Sequence, residues 1–164
     1  MSVEAQNKVL EILDKMNIPY KVIRHPAVFT IEEMNNLQIE HMDKVAKNLF
    51  VRDDKKRKYY LIVMRNDKSA NLRELRHKIG SRPLSFAGDD DLKHYLKLSK
   101  GEVTPFGALN DTDNIVTVII DSDLEGCEFI GVHPNDNTAT VWIAAGDLVK
   151  VLKDKQKDIM FVHI

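Results

Sequence analysis

Tyr59-Tyr60-Leu61-Ile62-Val63-Met64 is apolar at six consecutive positions, and its reading decides the fold. Neighbours on a strand point to opposite faces, so this run presents hydrophobic side chains on both. Such a strand lies in the middle of a sheet that helices or a second sheet cover on both sides. Val45 to Arg52 is a second β-rich run just upstream, and the intervening Asp53-Asp54-Lys55-Lys56-Arg57 reads as a hairpin with a charged tip.

Working outward from the hairpin, Val3, Val9, Leu10, Ile12, Leu13 and Met16 follow a helical period, with Ser2 as N-cap and Asn17-Ile18-Pro19 as the stop. Tyr20 to His25 is a short strand ended by Pro26, and Thr30-Ile31-Glu32-Glu33 has capping-box spacing for a helix to about Leu37. Gln38 to Asp43 fits neither period. Ala70 to Lys78 is a basic helix stopped at Gly80, and Asp89, Asp90 and Asp91 open another that runs to about Leu98. Ile115 to Asp121, Glu128 to Val132 and Thr138 to Ile143 are strands, Ala144 to Lys155 is a helix, and Ile159 to His163 is a last strand. The expectation is one mixed α/β (α+β) domain over residues 1–164, with a central mixed, mostly antiparallel sheet covered by helices.

The chain's 164 residues, 43% hydrophobic and 30% charged, suffice to bury a real core. No apolar run approaches a membrane span, and Met1-Ser2-Val3-Glu4 has no signal character, so a cytoplasmic protein without a membrane partner is expected. Cys127 is the single cysteine, which excludes an intramolecular disulfide and any multi-cysteine metal site. Net charge is only −1, but it is unevenly distributed. Residues 44–82 hold thirteen Lys or Arg against four acids, a balance of +9, and the remainder is −10. Folded onto one face, that segment attracts a polyanion; the plainer alternative is a solvated charged face.

P-loop, dinucleotide-fingerprint, zinc-hydrolase and nucleophile-elbow signatures are all lacking. Cys127 and His133 make a poor thiol dyad, since six residues along a strand span about 20 Å. Lys47 interrupts an apolar strand beside Asn48, so one of the two faces a buried layer; otherwise the lysine reaches solvent from the strand start. Gly101-Glu102-Val103-Thr104-Pro105-Phe106-Gly107 is a stiff loop, read either as a helix C-cap at Gly101 with a connection or as a pocket wall. His133-Pro134 after Gly131 ends a strand with an imidazole able to donate or accept. His25, His41, His77, His94 and His163 have no ligand spacing and are read as structural.

Lys47-Asn48-Leu49-Phe50, the hairpin to Tyr60-Leu61, the Gly101 to Gly107 loop and Gly131-Val132-His133-Pro134 together resemble the prolyl-tRNA editing domain family of free-standing YbaK-type deacylases and synthetase insertion domains. The resemblance implies that fold and hydrolysis of the ester of a mischarged tRNA(Pro). It implies a catalytic Lys47 and an amino-acid pocket lined by Asn48, Gly101, Glu102, Val103, Thr104, Pro105, Phe106, Gly131 and His133. Asn48 after the lysine is similar to the alanine-directed branch, whereas the cysteine-directed branch more often has threonine there. Lys44, Lys55, Lys56, Arg57, Lys58, Arg73 and Arg76 are then the expected tRNA contacts at the acceptor end. A prolyl-tRNA synthetase is a further expected partner, and no metal, cofactor or DNA is implied. A Cys-tRNA(Pro) deacylase and a non-catalytic tRNA- or synthetase-binding module are the competing readings.

Overall fold

A computed structural model describes residues 2–27, 30–36 and 44–164. The sequence folds in order into α1 (Ser2–Lys15), β1 (Lys21–Arg24), α2 (Ile31–Asn36), β2 (Ala46–Asp53), β3 (Tyr59–Arg65), α3 (Leu72–Ile79) and β4 (Leu84–Phe86). A short helix, α4 (Asp89–Asp91), continues as π-helix over Leu92–Leu96, and a 3₁₀ helix covers Pro105–Asn110. The rest is β5 (Val116–Asp121), β6 (Ile130–Val132), β7 (Ala139–Ile143), α5 (Ala145–Asp154) and β8 (Ile159–Val162), with a 3₁₀ turn at Ser122–Leu124. Gln38 to Asp43, which the sequence left unassigned, lies outside the described residues.

The hairpin forms as read, with Leu49 opposite Ile62 and Val51 opposite Tyr60. β3 then pairs parallel with β5, and β5 with β8, giving a five-stranded mixed sheet in the order β4-β2-β3-β5-β8. The remaining strands form a smaller antiparallel sheet, β1-β7-β6, which an isolated bridge between Val45 and Gly131 ties to the start of β2. The mixed α/β class holds, with the strands divided between two sheets.

Burial follows the strand period as expected. All six residues from Tyr59 to Met64 are at most 6% exposed. Tyr59, Leu61 and Val63 join the larger core with α1, α5 and the small sheet, while Tyr60, Ile62 and Met64 pack under Leu72, Leu75 and Ile79 of α3. α3 itself is set by its ends: Asn71 Oδ1 accepts from the N–H groups of Arg73 and Glu74, and Gly80 closes the helix at φ 67°.

Two expectations are corrected. Gly101 does not cap the preceding helix; Lys97 does, at φ 57°, because π winding ends that helix early and Leu98 N–H reaches back to Leu92 O. Gly101 sits instead in a turn at φ 87°. β4 was not expected at all, being three residues long with Phe86 61% exposed, so it has no apolar pattern to read. Among the described residues no helix is long and apolar enough to cross a membrane.

Candidate functional site

The pleat of β2 separates its two polar residues. Ala46, Asn48 and Phe50 point into the larger core, Lys47, Leu49 and Val51 towards α3. Asn48 thereby lines a cavity with Val45, Ala46, Gly131, Val132, His133 and Thr140, where β2 meets the small sheet. The cavity measures about 10 Å³, room for one group the size of a water molecule. Among the described residues, Asn48 Oδ1 is buried and has no hydrogen-bond partner. A buried acceptor left unmatched is costly unless a ligand or water answers it.

The other polar groups of the cavity have their proton positions fixed by neighbours that can only accept. His133 Nδ1 lies 2.9 Å from the Ala139 carbonyl, so Nδ1 carries the hydrogen and Nε2 keeps its lone pair. Burial holds His133 below the ordinary histidine value, and His25 adds to this, against the opposing pull of the Ala139 carbonyl. His25 Nδ1 is likewise 2.9 Å from the Pro26 carbonyl. With the ring hydrogen on Nδ1, Nε2 accepts from Thr140 Oγ1 at 2.9 Å, which leaves the Thr140 oxygen with lone pairs only. Asn48 Oδ1, His133 Nε2 and Thr140 Oγ1 are thus three acceptors on one small cavity. Sequence reasoning missed His25 and Thr140. The signal was a repeated dipeptide, His25-Pro26 and His133-Pro134, each ending a strand, and their rings stand 6.2 Å apart.

The loop from Gly101 to Gly107 supports this cavity from behind. Among the described residues none of its members lines it. Thr104 is buried and its hydroxyl donates to the His133 carbonyl at 2.5 Å. Pro105 begins the 3₁₀ helix, and Phe106, read from sequence as pocket lining, is fully buried with its ring in the core. Its carbonyl accepts from Asn135 in the turn after His133. Gly101 and Val103 are partly exposed, and Glu102 accepts from the Ser99 N–H. Gly107 is required by packing, since a Cβ there would stand 2.7 Å from Leu98 Cδ1.

Lys47 is not brought into the cavity. Its ammonium donates to the Lys68 carbonyl at 2.8 Å, on the α3 face of the sheet. Among the described residues this carbonyl is its one hydrogen-bond partner, and no carboxylate pairs with it. Lys68 in turn places its own ammonium between Asp121 at 2.8 Å and Asp123 at 2.5 Å. That ammonium fills the cluster of Asp121, Asp123 and His163, whose donor atoms would otherwise suit a cation. Cys127 Sγ contacts the Asp123 carbonyl and does not line the cavity, so no thiol nucleophile serves it.

Of the expected tRNA contacts, Lys44, Lys55, Lys56, Arg57, Lys58 and Arg73 are exposed, and Arg76 is partly buried with Nε unmatched. Arg65 and Arg82 are held by Asp67 and Asp54 in bidentate pairs, which reduces the free charge of the basic segment.

A mixed sheet whose second strand delivers Asn48 to a small cleft closed by a Gly-x-His turn defines a class: over residues 25–151 the chain matches the aminoacyl-tRNA editing domain, and it belongs to that family. More particularly, it is 48% identical to the prolyl-tRNA editing protein ProX of Acetoanaerobium sticklandii over 93% of either chain. It is 36% identical to the prolyl-tRNA synthetase associated domain-containing protein 1 of Danio rerio, over 94% of this chain and 84% of that one. A crystal structure of a candidate trans-editing enzyme for prolyl tRNA synthetase superposes with a TM-score of 0.73 at 17% identity, covering 98% of this chain and 97% of the other.

Proposed function

We propose that the chain is a free-standing, cytoplasmic, single-domain deacylase that hydrolyses the ester of alanine wrongly attached to tRNA(Pro). Its family and its likeness to ProX supply the reaction class. The observation that carries the discrimination against proline is the set of three acceptors at the cavity: Asn48 Oδ1 without a partner among the described residues, His133 Nε2 and Thr140 Oγ1. Three acceptors suit the three N–H donors of a primary α-ammonium, and a volume near that of water admits an ammonium but not a pyrrolidine ring. A synthetase pocket built for proline cannot exclude alanine strongly, because about a methylene of difference is worth only about 1–3 kcal/mol. The second site discriminates in the opposite sense.

With the amine held in the cavity, the ester carbonyl lies at its mouth, open to water. Water adds to the carbonyl carbon, the ester C–O bond breaks, and the ribose oxygen leaves with a proton, giving free alanine and tRNA(Pro). No cavity side chain is placed as a nucleophile, so positioning carries the rate, with the substrate's own neighbouring ribose hydroxyl orienting the water. Lys47, an ammonium with one neutral partner and two further donors, holds the terminal phosphate; it does so by leaving the Lys68 carbonyl. The exposed bases of the hairpin and α3 face the acceptor stem, and a prolyl-tRNA synthetase is the partner that the Danio rerio relative's name suggests.

The test is deacylation of Ala-, Cys- and Pro-tRNA(Pro) side by side. A shortened lifetime for the alanyl ester, with prolyl unchanged, is expected. An unchanged alanyl lifetime overturns the reaction, and a faster cysteinyl ester overturns the specificity. Lys47→Ala, folded by circular dichroism, should lower kcat/KM by at least tenfold.

A further inference from the structure

We propose that β8 is the contact strand of a homodimer, in which two copies of the chain join edge to edge, antiparallel, about a two-fold axis through Phe161. β8 ends the larger sheet, and among the described residues no strand pairs with its outer side. Which backbone groups face outward follows from the parallel register with β5. Val118 N–H donates to the Asp158 carbonyl and Ile159 lies opposite Val118, so the even-numbered residues of β8 turn their N–H and C=O groups to β5. Ile159, Phe161 and His163 turn theirs outward. The His163 carbonyl on that side accepts from Lys78 Nζ at 2.6 Å, and the groups of Ile159 and Phe161 are left for a further strand.

The other sheet ends carry devices against edge pairing. β4 has three residues and follows Pro83, and β1 is charged at both ends by Lys21 and Arg24. β6 is equally short, and Val45 bridges to it at Gly131. β8 has none of these: Ile159-Met160-Phe161-Val162 holds no charge, glycine or proline, and Phe161 is 42% exposed. The strand's match to itself selects a second copy as the occupant. In an antiparallel pairing centred on Phe161 the two Phe161 residues face each other, Met160 of either copy meets Val162 of the other, and Ile159 meets His163. No like charges oppose one another in that register, whereas one centred on Met160 sets Asp158 against Val162 and Lys157 against His163. Phe161 also lines an apolar groove of about 180 Å³ with Leu124, Ala145 and Val149, and the second phenyl ring lies beside it. β2, which carries Asn48 to the cavity, is three strands from β8, about 14 Å, so both cavities stay open in the dimer.

Sedimentation equilibrium over about 1–200 μM subunit is expected to show the mass rising towards twice that of one chain. Amide hydrogen exchange on the parent protein tests the contact itself. Exchange at Phe161 should slow about tenfold over that range, while Met160, already bonded within the sheet, keeps its rate. Phe161→Lys, which puts a charge on the exposed edge, should remain at the mass of one chain. If that variant fails to fold, the exchange measurement decides alone. A single-chain mass at every concentration overturns the dimer. A dimer whose Phe161 amide keeps its rate, or one that persists in folded Phe161→Lys, overturns β8 as the contact. Association that appears only when a prolyl-tRNA synthetase is added gives the edge to a different partner and overturns the second copy.

Discussion

Asn48 carries a buried acceptor that is unmatched among the described residues, and such a group destabilises its surroundings by about 1–3 kcal/mol. Asn48→Leu, of similar size, is therefore expected to raise the stability of the ligand-free protein by on the order of 1 kcal/mol in urea unfolding. The same change should lower kcat/KM for Ala-tRNA(Pro) at least tenfold, so a variant that gains stability and keeps activity refutes the role given to Oδ1. His133 offers a pH test. Its folded value lies below the unfolded histidine value of about 6.5. Above that value both states hold it neutral and its contribution to stability is complete. As pH falls below about 6.5 the unfolded chain binds a proton first and stability declines, until the folded ring itself protonates. Deacylation should fall on an acid limb with its midpoint below 6.5, because a protonated Nε2 no longer accepts. In His133→Gln that limb should vanish from the pH–rate profile.

At the scale of elements, close approach between neighbouring strands shapes the cleft. Gly131→Ala places a methyl 2.6 Å from Trp142 Cζ3 and 3.0 Å from Cη2, so the indole must move. Overpacking of this kind costs about 1–3 kcal/mol, and we expect a lower Tm, altered near-ultraviolet dichroism of Trp142 and a raised KM. The strands themselves were legible because burial on one face or two leaves a period in the residues, as in Tyr59 to Met64. The Lys47, Asn48 and His133 motifs were legible by resemblance. What escaped reading was set by contacts far along the chain. Lys97 takes the left-handed position expected of Gly101, because a helix wound in the π manner ends where Leu98 packs on Gly107. The resemblance reads the loop at Thr104 to Phe106 as a pocket wall, yet its contacts with the His133 and Asn135 turn hold it behind the cavity as a buttress. His25 has no ligand spacing in the sequence; its partner Thr140 lies on β7, a strand that pairs with β1 across most of the chain.

For the whole molecule, the distribution of charge decides how a long polyanion lies. From Asn48 to the end of β2 at Asp53 the strand advances five residues, about 17 Å, so the basic hairpin tip beyond it is at the far end of the sheet from the cavity. In the proposed complex the tip meets the stem, while Lys44 and Lys47 stand near the cavity end of β2. Lys55→Ala with Lys56→Ala should therefore flatten the dependence of log affinity on log salt by about one to two units, with little change in kcat. A slope equal to the parent's would remove the hairpin from the interface. The pairing of β1 with β7 has a consequence during synthesis. His25 and Thr140 meet only after some 115 intervening residues have been made, and closing so long a loop is slow relative to hairpin formation. The β2–β3 hairpin can form on the ribosome, but the cavity between Asn48 and Thr140 cannot exist until the last quarter of the chain has emerged. A chain cut short before β7 is therefore expected to keep the hairpin and lack the cavity.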